Sequence, residues 1–227
     1  VGYFFYDLNA KANIYLGKND HLYLSGYFRN DKFDSYEYSS YATSQDIYRN
    51  GIQWGNATGV VRWNHEFNRK LFGNATINYT RYRFDLFSEE KWIDSNTTEL
   101  AAQRYFSGIN DVSAKVDFDF LPTPNHFIKA GAGVTWHQYS PGAFQSKVNT
   151  ASYNIDTLLK RSFLRSHEYD AYAEDDIKIS DKLKINAGLH FSAFLIQGKN
   201  YSSLQPRLSA RYLLKQDMSI KASYVQM

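Results

Sequence analysis

Residues 55–80 read GNATGVVRWNHEFNRKLFGNATINYT, and this stretch decides the fold. In its first half, most alternate residues are small or apolar, as Val61 and Trp63 are, and the residues between them are mainly polar. After a break at 68–70 the same alternation starts again over 71–79. A period of two residues is typical of a β-strand with one apolar and one polar face. The stretch therefore predicts an antiparallel hairpin with a tight turn.

The same hairpin pattern recurs along the whole chain. It predicts an all-β fold, an antiparallel up-and-down meander of about ten long strands in five hairpins. Tight turns are expected at 17–20, 68–70, 122–125, 180–182 and 215–217, and a further short connection near 198–200. Long loops are expected at about 30–50, 87–106 and 140–163. Because consecutive antiparallel strands alternate ends, the tight turns should share one end of the sheet and the long loops the other.

Composition narrows the class of protein. Of the 227 residues, 43% are hydrophobic and 22% charged, which argues against a disordered chain. The net charge of +3 is too small to indicate nucleic-acid binding by itself, and the lack of cysteine excludes disulfides, thiolate metal sites and cysteine nucleophiles. No apolar run reaches the roughly 18 residues of a membrane-spanning helix. This does not exclude a membrane-spanning barrel, since the strands of a barrel alternate and keep the mean hydropathy low.

The apolar faces of the predicted strands favour a transmembrane barrel over a soluble β-sandwich. They are rich in alanine and glycine, carry aromatic residues near the strand ends, and contain no lysine or arginine. Lipid requires only an apolar surface, and aromatic belts mark the membrane interfaces. We expect these residues to face lipid: Gly59, Val61, Ala75, Ile77, Val116, Ala132, Val134, Ala187 and Leu189. We expect these to face the lumen: Thr58, Arg62, Asn74, Asn78, Lys115, Asp117, Lys184 and Asn186.

Several segments together resemble TonB-dependent outer-membrane transporters, in particular those of the Bacteroidetes. They are FYDLNAK at 5–11, DHLYLS at 20–25, WGN at 54–56, EDDIKISDKL at 174–183 and QPRLSARY at 205–212. The resemblance implies a 22-stranded barrel around an N-terminal plug, whose short segment engages TonB so that the proton-motive force drives import. About ten strands are under half of such a barrel, and no stretch resembles a plug. We therefore expect residues 1–227 to be one partial barrel segment of a larger barrel domain.

What the resemblance implies for function is energised nutrient uptake across the bacterial outer membrane, with a glycan, a metal chelate or a similar compound as the nutrient. The expected partners are the rest of the barrel, the plug, TonB through the plug, the nutrient, outer-membrane lipid and a surface lipoprotein. No nucleic acid is expected.

Little in the sequence indicates catalysis or metal binding. The six histidines, at 21, 65, 126, 137, 167 and 190, lack the short paired spacing of zinc sites and suit barrel rims or the lumen. Glu174 and Asp176 share one strand face, which suggests lumenal carboxylates matched to neighbouring cations. We therefore expect no catalytic residue, no metal and no cofactor, and we do not expect an enzyme.

Aromatic residues in the expected long loops are the candidates for ligand binding. Trp92, Tyr105 and Tyr153 are the best of them, because exposed loops on a rigid scaffold commonly carry function. Packing of the loops on each other would explain the same residues equally well. One alternative is a ten-stranded outer-membrane protease, with Asp85, Asp94, His137 and His167 facing one another across the barrel mouth. The other alternative is a soluble β-sandwich binding module.

Overall fold

The computed structural model describes residues 1–159 and 162–226, which form a single antiparallel β-sheet of eleven strands. The strands are β1 (Gly2–Tyr15), β2 (Asp20–Ser40), β3 (Ser44–Asn68), β4 (Leu71–Asp94), β5 (Thr98–Thr123), β6 (His126–Asn149), β7 (Asn154–Leu159), β8 (Leu164–Lys178), β9 (Leu183–Ile196), β10 (Lys199–Lys215) and β11 (Met218–Val225). Among the described residues there is no helix of the length and apolarity needed to cross a membrane.

The strand order is a meander, with one short addition. Ten strands follow one another in the sheet as β1-β2-β3-β4-β5-β6-β8-β9-β10-β11, and β7 pairs with the upper part of β6. The predicted meander of about ten antiparallel strands is therefore confirmed. All five tight turns lie at the same end of the strands. Gln197 and Gly198 make the short connection near 198, and both have positive φ, as a type I′ hairpin turn requires.

The three long loops expected from the sequence are wrong. Segments 30–50, 87–106 and the described part of 140–163 lie almost entirely in the paired strands β2 to β7. The chain reverses over a few residues, at Tyr41–Thr43, Ser95–Thr97 and Thr150–Tyr153. Residues 160 and 161 of the third expected loop lie outside the described residues. Their ladders are nearly continuous: Ser40 still pairs with Gln45 at the far end of β2. In these segments the apolar residues no longer lie on the same face of the strand as in the preceding part. The alternation by which strands are recognised is therefore lost there, although the strand itself continues.

The predicted assignment of residues to the two faces is confirmed by the pairing register. Val61 pairs with Ile77 and Ala75 with Val116, whereas Arg62 pairs with Thr76 on the other side. Directly paired residues share a face, and the period of two puts every neighbour in sequence on the opposite face. The nine residues expected to face lipid all share one face, and the eight expected to face the lumen all share the other. We call the face of Val61 the lipid face and the face of Arg62 the lumenal face.

The sheet has almost no core of its own. Ala143 and Ala193 are the only buried hydrophobic residues in the described part of the chain. Large apolar side chains stand exposed on the lipid face, among them Val61 at 45%, Ile77 at 59% and Leu208 at 52%. A soluble monomer does not tolerate an apolar surface of this extent, and a sandwich would cover it with a second sheet. The sandwich alternative is therefore excluded for the described residues.

The central strands are much longer than a membrane crossing requires. β4 has 24 residues and β5 has 26, whereas a tilted strand crosses the hydrocarbon with about 9–11. On β4 the apolar band of the lipid face runs from Leu71 to Tyr79, directly above the tight turn. Strands β2 to β6 therefore continue well beyond the membrane on the side away from the tight turns. Barrels of this kind keep their short turns periplasmic, so this extension faces outward from the cell.

A charge in the middle of the apolar band should destabilise the barrel. We expect Ala75→Arg to lower the free energy of unfolding by about 2–4 kcal/mol, because the guanidinium would lie at mid-depth in lipid. The matched control is Asn74→Arg, one residue earlier on the lumenal face, where the new cation lies opposite Asp117. Urea unfolding of the full-length protein in lipid vesicles measures both. Equal losses in the two variants would contradict the face assignment.

Candidate functional site

Where the apolar band ends, the two faces of the long strands exchange polarity: the apolar side chains pass from the lipid face to the lumenal face. On β4, the first three lipid-face residues beyond Tyr79 are Arg81, Arg83 and Asp85. The lumenal residues, which are polar from Asn74 to Thr80, become Tyr82, Phe84 and Leu86. Beyond the membrane the outward face meets water and headgroups and no longer has to be apolar. The inward face becomes the apolar one, which requires a separate explanation.

This inversion creates a continuous apolar surface on the lumenal face of β2 to β6. One row of directly paired residues crosses all five strands, from Phe33 through Ile52, Leu86 and Tyr105 to Phe144. The rows below it add Trp54 beside Phe84, then Tyr82, Ile109 and Tyr139. We call these ten residues the lumenal aromatic patch. Tyr82, Leu86, Tyr105 and Ile109 are each more than a third exposed, so the patch is available to a partner.

Tyr105 lies at the centre of the patch and is fixed in position. Its ring meets that of Phe84 edge to face, with 6.4 Å between the centroids, and its hydroxyl donates a hydrogen bond of 3.2 Å to the carbonyl oxygen of Pro141. The backbone opposite is a β-bulge: Gly142 has φ +148°, and a Cβ there would lie 2.6 Å from the Tyr105 hydroxyl oxygen. Only glycine fits this position without strain.

An ion-paired cluster lies on the lumenal face of β2, next to the patch. Asp31 is fully buried and accepts hydrogen bonds from Arg29 Nε at 2.6 Å and from the Tyr3 hydroxyl at 2.6 Å. The bonds from Arg29, and then the bond from Tyr3, hold the pKa of Asp31 below its usual value. The carboxylate therefore stays charged in mild acid, and it ties β1 to β2 beside Trp54, the residue paired with Asp31 on β3.

Below the patch, the membrane-spanning part of the lumenal face is polar, and several of its side chains pair with one another, whereas the buried Oδ1 atoms of Asn64 and Asn78 accept no hydrogen bond from the described residues. Asp117 accepts a hydrogen bond of 2.7 Å from the Tyr172 hydroxyl and an ion pair of 3.0 Å from Lys115. Of the two carboxylates predicted to be lumenal, Glu174 pairs with Lys129 at 3.8 Å, as expected. Asp176 instead accepts a hydrogen bond of 2.9 Å from the amide of Asn186.

The structure brings only part of the predicted ligand set together. Trp92 and Tyr105 share the lumenal face, but the register separates them by six residues, or about 20 Å along the strands. Tyr153 lies in the turn between β6 and β7. Like Trp92, it is at the end of the strands opposite the tight turns. Tyr105 therefore belongs to the lumenal aromatic patch, while Trp92 and Tyr153 lie at its outer rim.

The proposed protease constellation is not assembled. Asp85 is on the lipid face, where Arg104 holds it through both carboxylate oxygens, and His167 is also on that face. His137 is lumenal and bonded to Asp111 at 2.8 Å, and Asp94 lies at the far edge. The four side chains occupy opposite faces of the sheet, so they cannot act on one substrate. Among the described residues, no cluster of three or more histidines and carboxylates could hold a metal ion.

Sequence reasoning missed most of the patch because its residues fell in segments taken as loops or on strand faces taken as uniformly polar. A signal was nonetheless present. On β4 the apolar positions move from odd numbers below Tyr79 to even numbers above it, with no interruption of the alternation.

Comparison with known proteins identifies the architecture. A family model described as TonB dependent receptor-like, β-barrel matches residues 3–226. The chain belongs to this family. It is accordingly a barrel chain of the outer membrane, and its family consists of receptors rather than of known enzymes.

Solved TonB-dependent receptors share the fold at low sequence identity. The ferripyoverdine receptor of the Pseudomonas aeruginosa outer membrane, bound to ferripyoverdine, is 12% identical with a TM-score of 0.55, over 98% of this chain and 40% of the receptor chain. The closed form of the ferric-catecholate import receptor Fiu from E. coli K12 is 9% identical with a TM-score of 0.55, over 97% and 48%. The chain thus spans less than half of either receptor. No curated protein matches the sequence.

Replacing Gly142 should disturb the centre of the patch. We expect Gly142→Ala to lower the free energy of unfolding by about 1–3 kcal/mol, because alanine is strained at this φ and its Cβ would displace Tyr105. Gly59→Ala is the matched control, since a Cβ at Gly59 meets nothing within 4 Å. Urea unfolding of the full-length receptor in lipid vesicles is the measurement. A Gly142 variant as stable as the Gly59 variant would argue against a strained bulge.

Proposed function

We propose that this chain is one segment of a larger TonB-dependent receptor that captures a nutrient on the lumenal aromatic patch and imports it. The observation that carries the proposal is the polarity inversion, which directs ten apolar and aromatic residues into the lumen on the outward side of the membrane. A soluble nutrient that enters the barrel from outside would meet this surface before it reaches the membrane-spanning part of the lumen. The rest of the barrel and a plug would complete the pore, and TonB would act through the plug.

The chemistry of the patch favours a nutrient with flat, partly apolar faces. Aromatic rings supply large contact area with little conformational entropy to lose, and tyrosine hydroxyls add hydrogen bonds at the edges. Glycans and metal chelates both present such faces. The two solved receptors are named for ferric ligands, but at 9–12% identity they share only the fold with this chain. We therefore propose a glycan or a metal chelate as the nutrient.

The outer rim completes the proposed capture surface. Trp92 and Tyr153 are 36% and 55% exposed at the far edge of the sheet, where a ligand passes before it reaches Tyr105. A surface lipoprotein that delivers the nutrient would dock at the same edge, as we propose for a receptor of Bacteroidetes type. Rim and patch then act in sequence during entry.

Removing the three predicted aromatic side chains should impair uptake without affecting assembly. We expect Trp92→Ala, Tyr105→Ala and Tyr153→Ala combined in the full-length receptor to reduce uptake of its nutrient about tenfold or more, because stacked aromatic contacts commonly dominate a binding site. Growth on the nutrient and uptake of labelled nutrient measure the effect. Heat-resistant migration of the barrel reports assembly.

The control replaces aromatic residues of similar exposure on the opposite face. Tyr36 and Tyr38 lie on the extension of the lipid face, 56% and 48% exposed, and their alanine variants should transport normally. Unchanged uptake in the triple variant would mean that the three aromatic residues serve packing. Equal losses in the triple variant and the control would point to a general defect of the extension.

A further inference from the structure

A charged cleft lies on the lipid face immediately beyond the apolar band. Arg83 pairs with Gly55 on β3 and with Gly108 on β5, so no side chain stands directly beside it on either neighbouring strand. The space opens into a cleft of about 230 Å³ whose lining includes Arg81, Arg83, Arg104, Asp85, Gly55 and Phe28. We call this the arginine cleft. None of its charged side chains takes part in the lumenal aromatic patch.

The charges in the cleft are not balanced. Arg104 Nε donates hydrogen bonds of 2.9 Å to both carboxylate oxygens of Asp85, and Arg104 Nη2 donates a further hydrogen bond to Asp85 Oδ2. Neither the Arg81 nor the Arg83 guanidinium group makes an ion pair or a hydrogen bond with any residue in the described part of the chain. Three guanidinium groups and one carboxylate therefore leave a local charge of about two positive units, and both free groups border open space.

Neighbouring cations on the same face each have a carboxylate partner, which Arg81 and Arg83 lack. Asp34 binds Lys32 at 2.8 Å and Arg49 at 3.5 Å, and Arg49 lies over the ring of Phe87 at 5.2 Å. The hydrogen bond from Lys32 holds the pKa of Asp34 below its usual value, so the carboxylate stays charged and remains a partner for both cations.

The height of the cleft relative to the membrane is set by the strand geometry. Tyr79 belongs to the aromatic belt at the end of the apolar band, and Arg81 and Arg83 follow two and four residues later on the same face. With about 3.3 Å per residue and a tilt near 45°, they lie about 5 and 9 Å above Tyr79 along the membrane normal. The headgroup region is about 5–8 Å thick on each side of the hydrocarbon, so the arginines lie at the level of lipid phosphates.

We propose that the arginine cleft binds the phosphate of an anionic lipid in the outer leaflet. Guanidinium groups recognise phosphate oxygens in bidentate geometry, and Arg81 and Arg83 present two such groups without competing carboxylates of their own. The glycines on both sides give the headgroup access to Arg83. Below the cleft, Ala57 and Gly59 continue on β3 as a low, apolar surface along which an acyl chain can lie.

The nutrient is a poorer occupant of this cleft than a lipid. The cleft opens on the outside of the barrel, whereas the lumenal aromatic patch lies on the inside of the same strands. Lipid binding at the cleft requires only that the face carrying the apolar band points towards the membrane. It does not require that the lumenal aromatic patch captures a nutrient. Uptake assays on the patch variants and lipid assays on the cleft variants can therefore fail separately.

The test compares lipids that differ only by a phosphate. The full-length receptor in non-ionic detergent micelles is offered phosphatidic acid or diacylglycerol with the same acyl chains, and bound lipid is counted by native mass spectrometry. We expect the wild-type receptor to retain phosphatidic acid and not diacylglycerol, and to lose it as salt is raised. Arg81→Gln combined with Arg83→Gln should weaken retention about tenfold or more.

Two control variants keep the test decisive. Arg62→Gln with Arg211→Gln removes the same charge from the lumenal face and should leave retention unchanged. Arg81→Lys with Arg83→Lys keeps the charge but loses the planar fork, and should retain an intermediate amount of lipid. It also remains informative if the glutamine variant fails to assemble.

Three results would overturn the proposal. Retention of phosphatidic acid by the Arg81/Arg83 glutamine variant at the wild-type level would show that the cleft is not the site. Equal retention of diacylglycerol would show that acyl contacts alone bind the lipid. Displacement of phosphatidic acid by inorganic phosphate at equal concentration would show a site for the free anion, with no requirement for a lipid.

Discussion

Pairing of the backbone is the constraint on which the rest of this structure depends. A strand in lipid has no water to satisfy its N–H and C=O groups, so each must bond to a neighbouring strand. The ladder that results is nearly continuous from β1 to β11, and it does not require a packed core: Ala143 and Ala193 are the only buried hydrophobic residues among those described. Pairing also fixes which face each side chain occupies, because a slip of one residue would exchange lipid and lumen for a whole strand.

Once the faces are fixed, the environment along the strand decides what each face carries. Within the membrane, the lipid face is apolar and the lumenal face holds hydrogen-bonded pairs such as Tyr172 with Asp117. Above Tyr79 the lipid requirement ends, and arginine can appear on the outward face. The change on the inward face has no such simple cause, since water alone would favour polar residues there. The apolar side chains from Phe33 to Phe144 are understandable if another surface or a ligand covers them.

The sequence predicts the membrane-spanning part better than the extension. Alternation from Leu71 to Tyr79 identifies the strand, its faces and the hairpin turn, because lipid imposes a strict apolar rule on one side. From Arg81 to Leu86 the apolar positions lie on the other face, and beyond Leu86 both faces mix aromatic and charged residues, so a search for one apolar face along the whole strand finds none. For the same reason most of the site could not be predicted. That Trp54 and Phe84 lie side by side on one face follows only from the pairing register. Tyr105 was a candidate because it is aromatic, but it was expected in a loop, whereas it lies in β5.

The bulge at Pro141–Gly142 shows how a local backbone feature serves the site. Below it, even-numbered residues of β6 such as Val134 face lipid; above it, Ala143 and Lys147 share that face. An unbroken strand would turn Phe144 outward and place Lys147 in the lumen, against the aromatic row. The extra residue corrects the parity and returns Phe144 to the side of Tyr105. A positive φ at Gly142 is therefore the local condition under which β6 contributes to the lumenal aromatic patch, and alternation in the sequence could not reveal it because the bulge reverses the count.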